Sequence, residues 1–71
     1  MKSLAEEQGI KLTDAPTFYG ESSWSEFWAE SFAAYVHSRQ SFEKNHNKAY
    51  KFFIHCAKEY GIDLSTVKEA K

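Results

Sequence analysis

The segment Ser23-Trp24-Ser25-Glu26-Phe27-Trp28-Ala29-Glu30-Ser31-Phe32-Ala33-Ala34-Tyr35-Val36-His37 decides the fold. Ser23 and Glu26 are spaced as a capping box, in which the hydroxyl and the carboxylate each satisfy one free amide of a first helical turn. Neither Gly nor Pro occurs until well beyond His37, so the run predicts a helix over about residues 24–37. At about 100° per residue, Trp24, Phe27, Trp28, Ser31, Phe32 and Tyr35 fall on one broad stripe, whereas Glu26, Glu30, Ala33 and His37 fall away from it. The helix is therefore amphipathic, with a heavily aromatic face that needs an apolar partner.

A partner is encoded downstream. Residues 38–47 (Ser-Arg-Gln-Ser-Phe-Glu-Lys-Asn-His-Asn) are polar and read as a connection, with Asn45 or Asn47 as the cap of the next helix. Tyr50, Phe53, Ile54 and Ala57 then recur at i, i+3, i+4 and i+7, Tyr60 extends the stripe, and Gly61 supplies a left-handed stop. A second helix is predicted over about 48–60. Ile62 and Leu64 should pack back under its end, Asp63 or Ser65 should cap a last turn, and the Lys-Glu-Ala-Lys tail should fray.

Upstream, Ser3-Leu4-Ala5-Glu6 reads as another capping box, predicting a short helix over about 4–8 that Gly9 ends. Ile10 to Gly20 contains Asp14 and Pro16 without helical period, and reads as a loop with a short extended piece at Ile10 to Thr13. The expected fold is all-α, one small domain over 1–71. Residues 1–20 form its N-terminal helix and loop, and residues 21–71 its helical core of two main antiparallel helices with a short C-terminal turn.

A 71-residue domain buries only about 60% of the surface its unfolded chain exposes. The aromatic share of 17% compensates, because each large ring removes much apolar area from water. A net charge of -1 argues against generic binding to nucleic acid or to an anionic membrane. Residues 1–35 carry two basic against six acidic side chains and residues 36–71 seven against four, so an acidic front and a basic back could attract each other. The lone Cys56 cannot form an internal disulfide and no signal-peptide-like run comes after Met1, which points to a reducing cytoplasmic setting. No stretch approaches the ~20 apolar residues needed to cross a bilayer.

The stretch Pro16 to His37 resembles the later part of lethal-factor-like zincin metallopeptidase domains, which occur in toxins and in bacteriophage head or polymorphic-toxin proteins. The likeness rests on Tyr19-Gly20 followed by Glu26-Phe27-Trp28-Ala29-Glu30-Ser31-Phe32-Ala33-Ala34-Tyr35. Lys48-Ala49-Tyr50-Lys51-Phe52-Phe53-Ile54 also looks like the Thr-Tyr-x-Phe helix that closes such domains. The resemblance covers about half of the chain and makes Glu30 the third zinc ligand. The small Ala33 and Ala34 one turn beyond Glu30 leave room for another element to approach the helix. The bland reading of Glu30 is a solvated glutamate on a polar face.

A catalytic zinc needs three protein ligands and an open position, two of the ligands usually being His residues one turn apart on an HExxH helix whose Glu is the general base. No HExxH is present, and His37, His46 and His55 lie nine residues apart. Glu30 and His37 are about two turns, roughly 10 Å, apart on one helix side, too far to share an ion. A zinc site from His46, His55 and Cys56 would need tertiary assembly, and Cys56 beside Ala57 reads better as a small apolar residue near the core. The lysines and Arg39 that interleave with Tyr50, Phe52 and Phe53 read as the solvated side of a helix rather than a nucleic-acid surface.

Two functions are therefore expected as alternatives. One is a non-catalytic protein-binding module, a phage or mobile-element accessory or inhibitory protein acting in the host-cell interior or virion, without a cofactor of its own. It would dock through Trp24, Glu26, Phe27, Trp28 and Tyr35. The other is the C-terminal piece of a split or processed peptidase, in which Glu30 completes a zinc site whose HExxH helix lies on another chain or on a removed upstream segment.

Overall fold

The computed structural model describes residues 1–67, and the Lys-Glu-Ala-Lys tail lies outside them. Their fold is all-α. Its central element is the helix α2, Trp24–His37, whose bounds are those the sequence predicts. Ser23 is extended and its Oγ accepts the Glu26 N–H at 3.2 Å, the first half of the capping box. The final helix, Asn47–Glu59, ends in the way Gly61 foretells. Gly61 has φ +72°, its N–H reaches the Lys58 carbonyl, and the Ile62 N–H reaches the Ala57 carbonyl at 2.8 Å. That pair of bonds is a Schellman motif, which satisfies carbonyls that the helix leaves open.

Residues 38–47 depart from the expected plain connection. They form a helix of their own, Arg39–Asn45 (α3), so that Asn47–Glu59 is α4. One apolar side chain explains the difference: Phe42 is buried and packs its ring against Tyr50 and Phe53, anchoring an otherwise polar turn. The caps differ too. His46 is the N-cap of α4, and the Asn47 amide instead donates back to the Glu43 carbonyl of α3.

The first helix, α1, spans Lys2–Gln8 with Met1 as N-cap and no side-chain cap, so Ser3 sits inside it rather than opening it. Met1, Leu4 and Ala5 lie one turn apart and pack on the core, which draws the first turn into the helix. Gly9 (φ +69°) closes it with a second Schellman pair, Ile10 N–H to the Ala5 carbonyl at 2.8 Å. The expected extended piece at Ile10 to Thr13 shrinks to Lys11, because Leu12–Asp14 winds into a 3-10 turn whose Asp14 carboxylate accepts the Lys11 N–H. Asp14 also pairs with Lys48 at 3.4 Å, joining the acidic front to the basic back.

The core is a lattice of rings between α2 and α4. Phe53, fully buried, meets Trp28 at 4.8 Å, Tyr35 at 5.4 Å, Phe32 at 6.0 Å and Phe42 at 6.2 Å between centroids. Trp24, Phe27 and Phe52 form a second triangle. Trp28 meets Tyr60 while Tyr35 meets Tyr50, the order of an antiparallel pair. The buried arc of α4 is Ala49, Phe52, Phe53, Cys56 and Ala57. It is rotated from the expected stripe, leaving Tyr50 and Ile54 half-buried and Tyr60 exposed, because the rings of α2 and Phe42 converge on Phe53. Ile62, expected to tuck under the helix end, is exposed, whereas Leu64 is half-buried against the core. Asp63 caps the last 3-10 turn, Leu64–Thr66, through Ser65. The radius of gyration is 11.1 Å, the size of on the order of 11 Å expected for a compact chain of this length.

Candidate protein-binding surface

Pro16 to Ser22 runs along the polar side of α2 and makes that side a built structure rather than a solvated one. Thr17 holds it. Its hydroxyl donates to Glu30 Oε1 at 2.8 Å and accepts the Gly20 N–H at 3.1 Å. Gly20 is buried in this contact: a β-carbon there would stand 3.0 Å from Ala15 Cβ and 3.4 Å from Glu30 Cβ. Tyr19–Glu21 forms a 3-10 turn on this base, with the Glu21 N–H bonded to the Phe18 carbonyl. The element that approaches this side of the helix is the chain's own loop, whose Pro16 and Thr17 line a cavity with Ala34, one turn beyond Glu30.

Between Thr17 and Gly20 the chain lifts two rings into solvent. Phe18 is 88% exposed and Tyr19 70% exposed, the most exposed large apolar side chains of the described residues. Both are held by a base that is hydrogen-bonded at Thr17 and packed at Gly20, so they are presented on a defined support. A few residues on, a groove of about 360 Å³ is lined by Met1, Trp24, Ser25, Trp28, Tyr60 and Ile62. Trp28 and Tyr60 stand edge to face across 5.7 Å on its wall. Partial desolvation raises the Tyr60 hydroxyl above its ordinary pKa.

The expected docking residues divide between these places. Trp24 and Trp28 are half-buried and line the groove, with one side of each indole on the core. Glu26 is half-buried at the start of α2, where its amide serves the Ser23 cap. Phe27 is 0% and Tyr35 5% exposed, so both belong to the interior and not to a docking face, because they project along the middle of the stripe onto α4. Arg39 stacks over the Tyr35 ring at 4.2 Å and closes its outer side.

Glu30, the third zinc ligand in the resemblance, accepts the Thr17 hydroxyl. Among the described residues no three His, Cys, Asp or Glu side chains gather around one point. A zinc ion at Glu30 would therefore need its other ligands from outside the described residues. Cys56 is fully buried, and burial pushes its thiol up to about 11, away from the thiolate that metal binding or nucleophilic attack requires. Two histidines, His37 and His46, line a smaller cavity of about 180 Å³ with Ser41, Asn45 and the Phe42 ring. No helix among the described residues is long and apolar enough to cross a membrane.

The exposed pair Phe18-Tyr19 and the clamp residue Thr17 escape a periodicity reading, since the loop has no period. Comparison with known protein families, curated proteins and solved structures finds no match to this chain.

Proposed function

We propose that this chain is a non-catalytic protein-binding module that docks through the Phe18-Tyr19 tip, with the Trp24 and Trp28 groove as a second contact. The supporting observation is the tip itself. Two contiguous rings at high exposure forfeit the burial that a small domain depends on, while Thr17 and Gly20 order the backbone beneath them. Anchors of this kind gain affinity because little freedom is lost when they bind. The likeness of Pro16 to His37 to zincin tails supports a phage or mobile-element accessory protein working in the host-cell interior.

A photo-cross-linking amino acid at position 19, expressed in the native host, tests this reading. Discrete cross-linked proteins are expected from position 19 and not from position 7 on the exposed side of α1. Equal labelling from both positions, or none from either, sinks the proposal. Glu30→Ala separates the peptidase alternative. If a chain bearing HExxH restores zinc-dependent proteolysis and Glu30→Ala abolishes it, the module reading is replaced.

A further inference from the structure

Resting on the protein-binding reading, we infer that the segment this tip takes is cationic: a Lys- or Arg-bearing stretch of another protein that lays its charge on the Phe18 and Tyr19 rings and pairs it with Glu21 and Glu26. The tip stands in a one-sided charge environment. From Leu12 to Ser38 there is no Lys or Arg, and the acidic residues of that stretch are Asp14, Glu21, Glu26 and Glu30. Asp14 is already answered by Lys48 at 3.4 Å. Among the described residues, no Lys or Arg pairs with Glu21, Glu26 or Glu30. These three carboxylates lie at the base of the tip. Glu30 accepts the hydroxyl of Thr17, the neighbour of Phe18, and Glu21 belongs to the same 3-10 turn as Tyr19. Glu26 precedes Glu30 by one turn on the flank of α2 against which that turn packs.

Rings and carboxylates ask for the same partner. An exposed aromatic face attracts a cation through its quadrupole, and the fold already uses that contact where Arg39 lies 4.2 Å over Tyr35. A carboxylate beside the ring attracts the same charge, and the planar guanidinium of Arg can serve both at once. An apolar or acidic partner would instead cover the half-buried Glu21 and Glu26 without pairing them, at a desolvation cost. The rest of the molecule reinforces the choice of face. Residues 36–71 carry seven basic against four acidic side chains, so a cationic segment is turned away from that half and toward the tip.

Selection of a random peptide library on the immobilised full chain tests the inference, counting only binders that are lost when Phe18→Ser and Tyr19→Ser are made together. Both positions are exposed, so the fold should survive. The expected tip-dependent binders are enriched in Lys and Arg over the unselected library. For one such peptide, made synthetically, Glu21→Gln with Glu26→Gln should weaken affinity about 5-fold at low salt, since each exposed ion pair lost is worth up to a few-fold. Affinity for the wild-type chain should also fall as salt rises. Both substitutions keep the side-chain shape, and Gln serves a capping box as Glu does. The net charge of the chain is only -1, so its overall charge does not select basic peptides. Tip-dependent binders that are neutral or acidic overturn the inference, as do basic ones indifferent to the paired Gln substitutions. A library that yields no tip-dependent binder overturns it too. Discrete cross-links from position 19 would then leave the protein-binding reading standing, whereas their absence removes both.

Discussion

Aromatic residues meet opposite fates in two neighbouring regions. Along α2, Phe27 and Tyr35 vanish into a ring lattice with α4, and Trp24, Trp28 and Phe32 lean on it. A few residues earlier, Phe18 and Tyr19 stand in water on a hydrogen-bonded turn. Hydrophobicity does not distinguish the two groups. Placement does: helical spacing brings rings to one line where α4 can cover them, whereas the short turn between Thr17 and Gly20 points its rings away from the domain.

The contrast breaks most sharply at Phe53 of α4, the ring on which the α2 stripe and Phe42 converge. Phe53→Ala should cost about 3–5 kcal/mol, as large-to-small changes in a packed core do. In a domain this small that loss approaches the whole stability margin, and a thermal melt should show little or no cooperative unfolding. Phe18→Ala with Tyr19→Ala should leave the melting curve within about 0.5 kcal/mol of wild type. If the tip variant melts like the core variant, Phe18 and Tyr19 are structural and the two regions are one.

How legible these regions are in the sequence depends on the same difference. The bounds of α2 and the end of α4 can be read directly, because a cap at Ser23, an unbroken aromatic stripe and Gly61 all agree. Helix α3 cannot be read in that way, since its single anchor, Phe42, gains meaning only once Tyr50 and Phe53 are beside it. The rotation of the α4 stripe has the same origin. Glu30 is visible as a polar side chain on the far face of α2, but its partner is Thr17, thirteen residues away in a loop without period.

That long-range bond provides a milder test. Thr17→Val keeps the shape of the side chain while removing both the donor to Glu30 and the acceptor of the Gly20 N–H. The expected cost is about 1 kcal/mol, or a fall of about 4–8 °C in Tm. Backbone relaxation should show faster motion at residues 17–20 and unchanged motion in α2. Unchanged order at residues 17–20 would assign the tip's support to Gly20 packing alone.

The smallest effect concerns the one polar position on the buried stripe. Ser31 is fully buried between the rings of α2, and its hydroxyl has no hydrogen-bond partner among the described residues. An unpaired buried hydroxyl carries a desolvation cost, while alanine fits the same space and favours the helix. A hydroxyl in mid-helix can lean toward the carbonyl one turn back, which lessens that cost. Ser31→Ala should therefore be neutral or stabilise the domain by at most about 1 kcal/mol in a denaturant titration. A loss of stability larger than that would show that the hydroxyl is paired in solution, through an ordered water for example. The interior would then be held by a polar contact as well as by its rings, and the division between the two regions would be less complete than burial alone implies.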